Sequence, residues 1–137
     1  MNQDLKDLID QNFSELFSKH QFELIHESQT NIGAVQEYHH EHLVLIVSIE
    51  SGHAQLLVGS QISRRDMWPI PLLLDTLNPS ESMPSLPQIS DQVKDLVNHW
   101  TDISSMMSPE SFPITREKVL KQLRSYSEKM FNFSGLT

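Results

Sequence analysis

Leu43-Val44-Leu45-Ile46-Val47-Ser48-Ile49-Glu50-Ser51-Gly52-His53-Ala54-Gln55-Leu56-Leu57-Val58-Gly59 is the stretch that decides the fold. Val and Ile restrict χ1 and pack well on a pleated surface, so the first run favours strand over helix. Leu43, Leu45 and Val47 alternate with Val44, Ile46 and then polar Ser48. Both faces are therefore apolar at the centre, as in a central strand covered on both sides or one in the core of a larger assembly. Gly52 tolerates the positive φ of a tight hairpin turn, and Ser51-Gly52 is a favourable turn pair. Leu56 and Val58 share one face of the second run, and Leu57 takes the other. The stretch predicts a β-hairpin.

Upstream of it, Leu5, Leu8, Ile9, Phe13, Leu16 and Phe17 recur at helical spacing and predict an amphipathic helix over Gln3 to Ser18. Asp4, Asp7, Asp10 and Glu15 fall opposite that stripe, and acids in the first turns suit the positive end of the helix dipole. Asn2 is the expected N-cap. Gln21 to Ser28 alternates as a strand, with Phe22, Leu24 and His26 on one face and Glu23, Ile25 and Glu27 on the other. Gln29 to Gly33 is a turn by composition. Ala34 to His39 is a shorter strand, and His40-Glu41 leads into the central hairpin. Four strands in a row on short links predict an antiparallel sheet.

Downstream, Ser60 to Met67 reads as a polar loop and Pro71 to Leu77 as a short, mostly buried helix, with prolines where a helix can begin. Residues 78–88, rich in Pro and Ser, predict a mobile loop. Ile89, Val93, Leu96, Val97, Trp100, Ile103 and Met107 form the stripe of one helix over Ser90 to Met107. Thr115 is the expected cap of a last helix, Arg116 to about Phe131, with Val119, Leu123, Tyr126 and Met130 facing inward. Lys118, Lys121, Arg124 and Lys129 cover its outer face. Strands in series followed by helices in series predict an α+β fold: an N-terminal helix, a four-stranded antiparallel sheet, and three helices packed on it.

The 137 residues are expected to form a single domain, 1–137, large enough to bury a core without staples. There are no cysteines, which rules out disulfides and thiolate zinc sites. No basic and apolar leader opens the chain, and no apolar run nears the ~18 residues of a membrane span, so a cytoplasmic protein without membrane contact is expected. The net charge of −8 argues against a nucleic-acid binder. That charge is uneven: Met1 to Ser60 sums to −7, Gln61 to Glu110 to −4, and Ser111 to Thr137 to +3. Such asymmetry serves either solubility and internal pairing or an acidic face that steers a basic partner.

His39-His40-Glu41-His42 is the most conspicuous polar cluster. In extended chain His40 and His42 project to one side and can share a metal, but the cluster matches no His-Glu-x-x-His pattern. It reads as a turn with solvated histidines, and neither a metal nor a cofactor is expected. No Gly-x-Ser-x-Gly or Gly-rich phosphate loop occurs, so a non-enzymatic protein is expected, with an uncharacterised small enzyme as a further alternative. Arg64, Arg65 and Trp68 are partner-binding candidates, because Arg and Trp are enriched at interface hot spots; the alternative is that Trp68 plugs the core. The other candidates are the acids Asp4, Asp7, Asp10, Glu15, Glu37 and Glu41.

Glu50-Ser51-Gly52-His53 between two strands, then Trp68, then Leu72-Leu73-Leu74-Asp75-Thr76-Leu77, all preceded by the helix Leu5 to Phe17, make up a layout over the first 77 residues. It resembles small bacterial α+β domains, including immunity proteins of polymorphic toxin systems. The resemblance implies a protein that binds and neutralises a partner protein, here a basic toxin domain; it carries over no functional residue. The alternative expectation is a secretion chaperone that holds an effector segment, a family with a helix between its third and fourth strands. Either way the expected partner is a protein, and the chain a monomer or homodimer.

Overall fold

A computed structural model describes residues 3–80 and 83–133, with side chains described as far as residue 128. Two short helices, α1 (Gln3–Asn12) and α2 (Ser14–Lys19), precede five strands: β1 (Glu23–Gln29), β2 (Gly33–His40), β3 (Leu43–Glu50), β4 (His53–Ser60) and β5 (Ser63–Trp68). Four helices follow: α3 (Ile70–Leu77), α4 (Ile89–Asn98), α5 (Trp100–Met106) and α6 (Phe112–Phe133). The expected Asn2 cap lies outside the described residues. So does the inward side chain expected of Met130.

The α+β class holds, and the sheet is an antiparallel meander in the order β1-β2-β3-β4-β5. It has five strands where the sequence predicts four. Ser63-Arg64-Arg65-Asp66 reads as a loop because it is polar, yet an edge strand needs only backbone partners on one side. Gly59 pairs with Met67 and Val58 with Trp68. No helix interrupts the five strands, so the helix between third and fourth strands of a secretion chaperone has no counterpart here.

Ser51 (φ 50°) and Gly52 (φ 82°) are both left-handed, as a two-residue hairpin turn between right-twisting strands requires. The register then decides the faces. Leu43, Leu45 and Val47 stand opposite Ser60, Val58 and Leu56. With Ala34, Tyr38 and Trp68 they join Leu5, Ile9, Phe13 and Leu16 of the first two helices in one core, and Ile70, Leu73, Val93, Leu96 and Ile103 complete it. The inner face of the sheet is thus roofed by helices. The outer face carries Val44, fully buried, with Ile46 and Leu57 half-buried outside that cluster.

Two predicted helices are each broken into two. Phe13 (φ −108°, ψ 0°) separates α1 from α2, although Phe13 N–H still donates to the Ile9 carbonyl and Phe17 N–H to that of Phe13, both at 2.9 Å. His99 (φ −112°, ψ 27°) separates α4 from α5. Both residues sit near the bridge region of backbone space, so the chain bends without losing its apolar stripe. The last helix begins at Phe112, earlier than the predicted Arg116, with Pro113 in its first turn. Thr115 caps a different helix: its hydroxyl donates to the Met106 carbonyl at 3.0 Å, and Ser60 Oγ donates to the Met107 carbonyl at 2.6 Å. These bonds satisfy carbonyls that the end of α5 would otherwise bury unpaired. Among the described residues no helix is long and apolar enough to cross a membrane.

Candidate functional site

Asp4, Asp7 and Asp10 recur at three-residue spacing on α1, so they form one row on its surface. All three are exposed, while Leu5 and Ile9 are buried on the opposite side. Burial, then the charge of Glu27, then that of Asp10 raise the phenol pKa of Tyr38. Tyr38 donates to the Gln36 side-chain oxygen, and the Gln36 amide donates to Glu27. Gln36, fully buried on the inner face, thereby anchors Glu27 at the rim. The exposed carboxylates of α1 and Glu27 of β1, with Asp10 and Glu27 both acting on Tyr38 through their charge, make up an acidic border.

Glu27 reaches this border because of a β-bulge. Glu23 pairs with His39 and Leu24 with Tyr38, but His26, not Ile25, pairs with Glu37. The extra residue at Ile25 turns the rest of the strand over. Glu23 and Glu27, expected on one face, therefore point to opposite faces, as do Leu24 and His26. Nothing in the alternation of the sequence announces the bulge, and Glu27 is the site residue that the sequence does not single out.

The other candidates scatter. Glu15 is exposed on α2 and pairs with Lys19 at 3.1 Å. Glu41 is exposed in the β2–β3 turn with a left-handed φ of 53°, at the far end of the sheet from the β1–β2 turn. Glu37 and Trp68 are not surface residues. The Glu37 side chain is 7% exposed on the outer face, where it receives Arg64 and lies 2.6 Å from His39 Nε2. Trp68 is 7% exposed and stacks on Phe112 with centroids 5.7 Å apart, so it takes the core position. Arg64 is thereby committed to Glu37, and Arg65 is exposed.

The histidine run divides between the two faces rather than gathering. His39 belongs with Glu37 on the outer face. His40 takes the inner side, where its Nδ1 lies 2.7 Å from the Gln21 carbonyl and its ring 5.1 Å from Trp100. His20 stacks on Trp100 at 3.7 Å, and burial, then His40, then Lys19 lower its pKa. His42 is exposed in the turn. Among the described residues no group of three or more His, Asp or Glu side chains converges to hold a metal ion.

A second carboxylate lies inside the helical layer. Asp75 accepts from Tyr126 of α6, from Gln122 at 2.9 Å, and from the Ser80 amide and hydroxyl at 2.9 and 2.8 Å. Burial pushes its carboxyl up, and the bonds from Tyr126, Ser80 and Gln122 outweigh that, holding it below its ordinary value. This cluster ties α3, the chain after it and α6 together.

No protein-family model matches this chain, and no curated protein or solved structure matches it either.

Proposed function

We propose that this chain is a non-enzymatic protein-binding module whose acidic border engages a basic partner, in its most concrete form an inhibitor that neutralises a basic toxin domain. One observation carries the reading. Asp4, Asp7, Asp10 and Glu27 line one border, and among the described residues none of them has a Lys or Arg within ion-pair distance. Like charges held close raise the energy of the folded chain, and a basic partner relieves that repulsion on binding. The buried ionisable groups elsewhere, Glu37 and Asp75, are instead held by cations or hydrogen-bond donors that fasten one element to another. The resemblance in layout to immunity proteins supplies the class of partner.

Rescue is the test. The product of the adjoining reading frame is expressed alone and together with this chain. Growth arrest by that product, relieved by co-expression, is the expected result. The exposed-site variant Asp4→Lys/Asp7→Lys/Asp10→Lys loses the relief while keeping its thermal midpoint. Binding by the wild type weakens about tenfold or more between about 50 and about 300 mM salt. Affinity indifferent to salt, or undiminished in the triple variant, overturns the reading.

A further inference from the structure

We infer that the partner engages β1 as an added strand: an extended segment carrying Lys or Arg at alternate positions pairs with the open edge of the sheet. This rests on the acidic-border reading and specifies its mode. Six of the seven β1 residues are exposed, Ser28 being half-buried. Leu24 and Ile25 are 46% and 45% exposed, and Ile32 in the following turn is 58% exposed.

The backbone of the edge can be assigned. Thr30 N–H donates to the Gly33 carbonyl at 2.8 Å. Antiparallel pairs alternate between bonded and non-bonded, so Ser28–Val35 and His26–Glu37 exchange hydrogen bonds with β2. Glu27 and Gln29 then direct their N–H and C=O groups away from the sheet, two residues apart, where an added strand would take them. The Ile25 bulge lies before this segment and leaves it regular. A shallow groove whose lining includes Ser28, Thr30, Ile32, Val35, Ser48 and Glu50 adjoins it.

Charge selects the occupant. On the inner side an added strand faces the Glu27 carboxylate, so its side chains there are cationic. A second copy pairing β1 with β1 would bring Glu27 of both chains onto one small patch, which like-charge repulsion opposes. The other edge offers no equivalent. The register of β5 is broken between Gly59 and Ser60, and Arg116 of α6 bonds Asp66 at 3.0 Å across it.

The probe is an end-blocked nine-residue peptide of alternating Lys and Val, titrated into the 15N-labelled full chain, with a Glu/Val peptide as control. The Lys peptide is expected to shift the Glu27 and Gln29 amides and slow their hydrogen exchange about tenfold or more, while the Glu peptide does nothing. Gln29→Pro removes a donor that faces away from the sheet, which an edge strand tolerates, and is expected to weaken binding about tenfold. The exchange measurement on the wild type decides the matter if that variant does not fold. Shifts confined to α1, with Glu27 and Gln29 exchange unchanged, overturn strand addition and leave the acidic border standing. Slowed exchange at Glu27 and Gln29 that survives Asp4→Lys/Asp7→Lys/Asp10→Lys keeps strand addition and overturns the charge reading. Absence of binding overturns strand addition.

Discussion

Asp75 is the carboxylate on which the helical layer most depends. It is 5% exposed and accepts from Tyr126, Gln122 and Ser80, groups drawn from α6 and from the chain after α3. A carboxyl whose pKa falls on folding adds stability above its unfolded value of ~3.9 and loses it as pH drops through the folded value. Asp75 is such a group. Asp75→Asn keeps an acceptor for Tyr126 but turns an NH2 toward the donors of Ser80 or Gln122. It is expected to cost about 2 kcal/mol at pH 7, because donors lose their acceptor inside the protein. Denaturant titrations at pH 7 and pH 3 check both parts: the gap between wild type and variant should shrink at the lower pH. A gap that stays constant would assign the loss to packing.

At the scale of elements, legibility follows what each local rule can see. The β3–β4 hairpin is plain because β-branched residues, apolar alternation and a Gly turn agree along one stretch. The bulge at Ile25, the bends at Phe13 and His99, and the β5 edge strand are not plain, because tertiary packing sets each of them and the residues at each fit the unbroken pattern too. The same limit governs the candidate site. Asp4, Asp7 and Asp10 follow directly from helical spacing, whereas Glu27 depends on the bulge, the burial of Trp68 on which face the helices cover, and that of Glu37 on Arg64 and His39 meeting it on the other face. The hairpin turn offers the element-scale prediction. Ser51 holds φ at 50°, a left-handed value that costs an ordinary side chain about 1 kcal/mol and that Asn bears more easily. Ser51→Asn creates Asn followed by Gly52, the preferred pair for this turn, and is expected to add about 0.5 kcal/mol. A rise of a few degrees in the thermal midpoint checks it, and an unchanged or lower midpoint counts against the turn geometry.

Across the whole molecule, charge is divided between holding the fold and facing outward. Arg64 and Arg116 reach carboxylates 27 and 50 residues away, fastening β5 to Glu37 on β2 and α6 to Asp66 on β5. The Arg64 pair reaches furthest across the sheet. β2 and β5 are separated by β3 and β4, ~14 Å apart if the sheet were flat. The ion pair bridges that span across the outer face, over β3 and β4. Val44, opposite His39 on one side and Gly59 on the other, is fully buried on that face although it lies outside the helix-packed core. Arg64 is itself 57% exposed, so solvent screens its side of the pair, whereas the Glu37 side chain is 7% exposed and loses its cation without compensation from water. Arg64→Ala is therefore expected to cost about 1–2 kcal/mol, more than an exposed ion pair is worth. In Glu37→Gln the buried charge is gone, and the same Arg64→Ala change should cost little. A double-mutant cycle on the two sites measures that difference, with a coupling of about 1 kcal/mol expected. Additive losses would mean that the ion pair adds nothing to the stability of the outer face.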